Sequence, residues 1–124
     1  MNNNIAFFGL ILIIIIGGFF LLSSKKVVSN EALDSFAQCI SDSGAKFYGA
    51  FWCSHCKAQK EDFGNSDKLP YIECSTADGQ GQLEICQKEG IEGYPTWKFA
   101  NGKSLGGELS FNQLSEQTGC SVPN

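Results

Sequence analysis

The first 22 residues contain no Asp, Glu, Lys, Arg or His. Such a stretch cannot form the wet surface of a soluble body. Basic residues are scarce along the whole chain: 9 Lys and Arg against 13 Asp and Glu leave a net charge of -4. This excludes a strongly basic nucleic-acid binder. There is one histidine, His55. No internal repeat is present, and no low-complexity tract lies beyond the opening segment. Aromatic residues are not lacking, at 12% with ten Phe, which argues against disorder. Nor is cysteine: there are six, all beyond the opening segment. That number points to a place where disulfides persist, or to a metal. The length of 124 residues allows one modest core and no second domain.

Residues 1–4 form a tail. Ile5 to Leu22 holds only Ile, Leu, Phe, Ala and Gly. At 1.5 Å per residue it reaches roughly 27 Å as a helix, near the low end for crossing a bilayer core. It is expected to be a transmembrane anchor. A signal peptide is the rival, although no basic residue precedes the run and no clear small-residue cleavage site comes after it. Lys25 and Lys26 would favour a cytoplasmic placement of the chain beyond them. The cysteine chemistry favours the opposite side. Residues 23–30 read as a polar linker.

Beyond it, Asn30 is expected to cap a helix over 31–42, with Leu33, Phe36, Ala37 and Ile40 on its inner face. A strand is expected over 45–51, a helix over 54–63 stopped by Gly64 and Asn65, and a strand over 69–74. Next come a loop at 77–81, a short helix at 82–88 closed by Gly90, and a strand at 96–100. Asn101-Gly102 signals a hairpin with a return strand over 104–108. Ser110 caps a last helix over 111–118. This alternation predicts an α/β fold whose sheet ends in an antiparallel hairpin.

Phe51-Trp52-Cys53-Ser54-His55-Cys56 comes after a strand and opens a helix. A thiol at a helix N-terminus meets free backbone N–H groups and the positive end of the helix dipole. Cys53 is therefore expected to have a lowered pKa and to be the attacking sulfur. Cys56, one turn inside, is placed to resolve a mixed disulfide. His55, if protonated, would favour the thiolate further. Three plainer readings stand beside this one: half of a zinc site, a purely structural disulfide, and a passive, solvent-facing His55. Cys74 and Cys86, with eleven residues between them, do not supply the matching zinc pair. No metal and no cofactor is expected.

Gly90-Ile91-Glu92-Gly93-Tyr94-Pro95-Thr96-Trp97 joins the short helix to a strand. A trans Tyr94–Pro95 bond is the ordinary expectation. In a redox fold, a cis bond would set this loop against Cys53 and let Tyr94 backbone groups bind an extended peptide.

These motifs resemble the thioredoxin superfamily. Three longer runs are similar to the thioredoxin-like domain fused to bacterial vitamin K epoxide reductase homologues: Phe47 to Cys53, Leu69 to Cys74, and Gly90 to Trp97. The stretch Gly107-Glu108-Leu109-Ser110 and the closing Gly119-Cys120 fit as well. The likeness covers about residues 31–120, leaving 121–124 as a tail. It implies a thioredoxin-like fold with a central mixed sheet flanked by helices, and a thiol-disulfide oxidoreductase acting on the extracytoplasmic side of a cell membrane. It implies Cys53 as nucleophile, Cys56 as resolving thiol and Pro95 as a cis-proline, with Trp52, Gly93, Tyr94 and Pro95 contacting cysteine-containing protein substrates. It further implies reoxidation by a separate quinone-linked membrane partner resembling a vitamin K epoxide reductase homologue. Two departures bear on direction. Phe47 stands where ordinary thioredoxin has a buried aspartate, and Ser54-His55 replaces Gly-Pro. Both lean toward oxidation of substrates. A reductase or isomerase kept reduced by a membrane donor is the alternative, and a redox-inert metal or peptide-binding module is one of another class.

Four cysteines remain. The resemblance commonly carries a second pair matching Cys74 and Cys86. That bridge would fasten the short helix to the sheet, or else serve as a second redox relay. In such a fold Cys39 and Cys120 come near enough for a terminal clasp; two buried free thiols are the alternative.

Overall fold

The computed structural model describes residues 28–124. The expected anchor at 5–22, and Lys25 and Lys26, lie outside the described residues. Among the described residues no helix is long and apolar enough to cross a membrane.

Eight elements occur in the expected order among the described residues: α1 Asn30–Asp42, β1 Lys46–Gly49, α2 Ser54–Asp62, β2 Tyr71–Glu73, α3 Glu84–Lys88, β3 Thr96–Lys98, β4 Ser104–Gly106 and α4 Phe111–Thr118. The sheet order is β2-β1-β3-β4. β1 runs parallel to β2 and antiparallel to β3, which pairs antiparallel with β4. A mixed four-stranded sheet with helices fits an α/β thioredoxin-like fold.

The boundaries differ from the sequence reading for local reasons. Ser29, not Asn30, caps α1: its Oγ accepts the Ala32 N–H at 3.2 Å, and its carbonyl already accepts the Leu33 N–H at 3.1 Å. Serine caps as well as asparagine, so the helix starts one residue earlier. β1 stops at Gly49 rather than 51 because the Cys53 N–H closes a turn onto the Ala50 carbonyl at 3.0 Å. That turn pushes Phe51 out of the core to 52% exposure. α3 starts at Glu84, not 82, because the backbone of Gln82 bridges Ser75 and the Leu83 N–H donates to the Cys74 carbonyl at 2.7 Å. The Gln82 side-chain amide donates to the Ile91 carbonyl and the Tyr94 hydroxyl, both at 2.8 Å. α4 carries a full capping box between Ser110 and Gln113 and ends on Gly119, whose φ of 75° suits glycine.

Successive β1 side chains point to opposite sheet faces, and both faces are covered. Phe47 stacks on Trp97, its cross-strand partner, with ring centroids 4.6 Å apart. Phe36, Ile40, Phe63 and Leu114 belong to the same cluster. Tyr48 packs instead with Cys74, Cys86 and Ile91. Burying one such side chain stabilises by about 1.5–3 kcal/mol. The fully buried amide side chain of Gln59 is satisfied. Its Oε1 accepts from the Leu109 N–H at 2.7 Å and from Trp97 Nε1 at 3.3 Å, and its Nε2 donates to the Leu109 carbonyl at 3.1 Å. This side chain ties α2 to the segment after β4.

Disulfides join Cys39 to Cys120 and Cys74 to Cys86. The first fastens α1 to the end of the chain; the second fastens α3 to the end of β2. With a sequence separation of 12, the Cys74–Cys86 link closes a short loop worth about 3 kcal/mol by chain entropy.

Candidate active site

The third disulfide joins Cys53 and Cys56 at the start of α2. Its placement is set by the chain before it. β1 is central in the sheet, and the turn after Gly49 delivers Cys53 as the N-cap of α2. Cys53 Sγ accepts the Cys56 N–H at 3.2 Å. The sulfur thus occupies the place of a capping oxygen, where free N–H groups and the helix dipole stabilise negative charge. The two sulfurs differ in access. Cys53 is 7% exposed and Cys56 is 1% exposed.

Cys53 borders a groove of about 450 Å³ that it shares with Trp52, Ser54, His55, Glu92, Gly93 and Tyr94. The loop before β3 therefore meets the Cys53 end of α2, although the two are some forty residues apart in the chain. The Tyr94–Pro95 peptide is cis. Pro95 itself is buried and is not among the groove's lining residues; its carbonyl accepts the Gly107 N–H at 2.9 Å. Trp52 is half exposed yet fixed. Its Nε1 donates to Ser75 Oγ at 2.9 Å, and its ring meets Tyr94 edge-on at 5.8 Å. Gly79, with φ +73°, passes beneath the Trp52 and Phe51 rings.

His55 is well exposed, and its Nδ1 lies 2.6 Å from Glu108 Oε2. The carboxylate accepts from Nδ1, which fixes the ring's tautomer and direction. Glu108 reaches this position from the far end of the β3–β4 hairpin. The sequence reading assigned it no role, because only the folded hairpin brings it to α2.

Behind Cys56 stands a second group that the sequence reading also missed. Glu73 accepts from the backbone N–H groups of Phe51 at 3.1 Å and Ser75 at 2.9 Å, and from the Tyr71 hydroxyl at 2.8 Å. It thereby holds the loop carrying Phe51 and Trp52 against β2. Lys60 of α2 places its ammonium 3.3 Å from the centre of the Tyr71 ring. Burial pushes the Lys60 ammonium pKa down, with Glu73 opposing the shift. Burial and the bond to Glu73 hold the Tyr71 phenol far above its ordinary range. Gly49 makes the packing possible: a Cβ there would lie 2.7 Å from the Tyr71 ring and 3.0 Å from Cys56 Sγ. The one available sequence signal was the alternation of Tyr71 and Glu73 on one face of β2, next to the strand that feeds Cys53.

No protein-family model matches the chain. Among curated proteins, the chain is 44% identical over 93 residues to the thiol-disulfide oxidoreductase LTO1 of Arabidopsis thaliana, covering 71% of this chain and 24% of that protein. It is 38% identical over 61 residues to the protein disulfide-isomerase of Humicola insolens, covering 47% of this chain and 12% of that one. It is 30% identical over 112 residues to the protein disulfide-isomerase-like protein EhSep2 of Emiliania huxleyi, covering 72% of this chain and 48% of that one. The chain thus spans less than half the length of these relatives. Their names support a place for it in the thioredoxin-like superfamily, in keeping with the mixed sheet.

Proposed function

We propose that the chain is a thiol-disulfide oxidoreductase that introduces disulfides into protein substrates through Cys53 and Cys56. The observation that carries this reading is the Cys53–Cys56 disulfide at the N-terminus of α2, with Cys53 at the edge of an open groove. Similarity to proteins named thiol-disulfide oxidoreductase and protein disulfide-isomerase supports the same chemistry.

In this reading a substrate thiolate attacks Cys53 Sγ. The Cys53–Cys56 bond breaks, and Cys56 leaves with the electron pair. A second substrate thiolate then attacks the substrate sulfur of the mixed disulfide and releases Cys53 as thiolate. One substrate dithiol is oxidised and one enzyme disulfide is reduced. The helix N-terminus lowers the energy of the Cys53 thiolate, which makes it a good leaving group and the closed pair a good oxidant. His55, held by Glu108, adds to that effect when protonated. Trp52, Gly93 and Tyr94 line the groove that takes the substrate chain, with Pro95 anchoring their loop.

The wider setting belongs to the same proposal. The segment 5–22 tethers the domain to a membrane, with its active face extracytoplasmic. A quinone-linked membrane thiol oxidase resembling a vitamin K epoxide reductase homologue restores the disulfide.

The test is oxidation of a two-cysteine peptide by the full chain. Wild type turns it over, and Cys53→Ser does not; oxidation surviving in Cys53→Ser would defeat the reading. Isomerisation is the second reading, favoured by the relatives named protein disulfide-isomerase. The reduction potential of the pair separates directions: about -120 mV marks an oxidase and about -270 mV a reductase.

A further inference from the structure

Disulfide exchange at Cys53–Cys56 moves a proton at Cys56. When the bond opens, Cys56 Sγ takes the electron pair and then a proton; when it closes, the thiol must give that proton up. At 1% exposure, Cys56 has almost no direct contact with water.

Lys57, the next residue of α2, is exposed, whereas Lys60, four residues on, shares the helix face of Cys56 and is half-buried. The Tyr71 ring links Cys56 and Lys60. It lies beside Cys56 Sγ in the space left by Gly49, and it carries the Lys60 ammonium on its face. The Tyr71 hydroxyl is in turn pinned by Glu73. Lys60 and Tyr71 also border an open cavity of about 340 Å³, together with Asn65, Ser66, Asp67 and Leu69. This cavity shares no lining residue with the groove at Cys53. The titratable groups around the Lys60 head group are therefore Tyr71 and Glu73 of β2 and Asp67 of the loop after α2.

We propose that Lys60, seated on Tyr71, is a positioning residue that stabilises the Cys56 thiolate each time the Cys53–Cys56 bond opens or closes. The lowered Lys60 pKa agrees with an ammonium held partly out of water. This inference rests on the exchange chemistry proposed above, in either direction. It gives the two sulfurs separate controls: Cys53 answers to the helix N-terminus and His55, Cys56 to Lys60.

The test uses the full chain, reduced at Cys53–Cys56, and the aromatic disulfide dithiobis-nitrobenzoate. In a first phase the Cys53 thiolate attacks the reagent, forms a mixed disulfide and releases one thionitrobenzoate. In a second phase Cys56 loses its proton and attacks Cys53 Sγ; the pair closes and a second thionitrobenzoate leaves. One dithiol is oxidised, one reagent disulfide is reduced, and two protons go to water. Lys60→Met is expected to slow the second phase about tenfold at pH 7 and to raise its pH midpoint by about one unit, leaving the first phase unchanged. Lys60→Arg keeps the charge and stays within about threefold of wild type. A Lys60→Met second phase with wild-type rate and midpoint overturns the proposal, as does an arginine variant as slow as the methionine one. Absence of a first phase at Cys53 in wild type overturns the exchange reading, and this inference with it.

Discussion

Glu108 Oε2 sits 2.6 Å from Nδ1 of His55, joining residues 53 apart in the chain. The pair lies beside the Cys53–Cys56 disulfide, at the edge of the groove. Both side chains are substantially exposed, at 71% and 37%, so water screens the attraction. Its value lies in fixing which way the imidazole faces. Glu108→Gln is expected to slow dithiol oxidation by up to about fivefold, the kinetic equivalent of an exposed ion pair. The double variant with His55→Ala should be no slower than His55→Ala alone. Additive losses in that cycle would show that Glu108 acts elsewhere.

Gly49 is the residue on which the Cys56 side of the site depends. A Cβ there would press 2.7 Å from a Tyr71 ring carbon and 3.0 Å from Cys56 Sγ. Neither neighbour is the free end of a flexible chain. Gly49→Ala is expected to cost about 1–3 kcal/mol, the usual range for overpacking a core. A urea titration of the oxidised protein measures this directly. A variant as stable as wild type would mean that Tyr71 moves aside freely, and that the Lys60 seat is looser than its geometry implies.

These two contacts show where the sequence was legible and where it was not. Leu33, Phe36, Ala37 and Ile40 announced the inner face of α1, and Asn101-Gly102 announced the hairpin, because each signal is local. Cys53-Ser54-His55-Cys56 was readable for the same reason: four neighbours on one helical turn carry it. Glu108, Glu73 and Lys60 gave no such sign. Each depends on a partner from another element, which only the assembled sheet supplies. Gln59 is the sharpest case. A polar residue on an amphipathic helix reads as solvent-facing, yet it is fully buried because Leu109 and Trp97 need its amide. Phe51 errs the other way. An aromatic at a strand end reads as core, but the turn that places Cys53 turns it outward.

Cys74 and Cys86 are both fully buried, in a cluster with Tyr48 and Ile91. Burial bears on whether this disulfide is a staple or a relay, since exchange requires an in-line thiolate at the sulfur. The expectation is a staple. Replacing both by alanine should cost about 2–5 kcal/mol, read from the urea midpoint. Turnover of a dithiol peptide, measured where the variant is still folded, should stay within about twofold of wild type. Loss of turnover in a folded double variant would establish a relay instead.

Asp62 offers a test of the electrostatics at the other end of α2. Although Asp62 is exposed, partial desolvation raises its carboxyl pKa above the ordinary 3.8, and Glu108 and Glu61 raise it further. As the last residue of α2 it also faces the negative end of the helix dipole. A carboxyl with a raised folded-state pKa binds its proton more tightly in the native protein than in the unfolded chain. Its contribution to stability is therefore full below the unfolded value and falls as pH rises through the folded one. Asp62→Asn removes that loss. The variant should melt at a higher temperature than wild type at pH 7, and the gap should close by about pH 3, where Asp62 is neutral in both states. The weak contact from Gln59 Nε2 to Asp62 Oδ2, at 3.4 Å, survives in an asparagine through its own side-chain oxygen. A melting temperature below wild type at pH 7 would mean that this contact outweighs the repulsion from Glu108. Asp62 would then be a brace for Gln59 rather than a charge the fold tolerates.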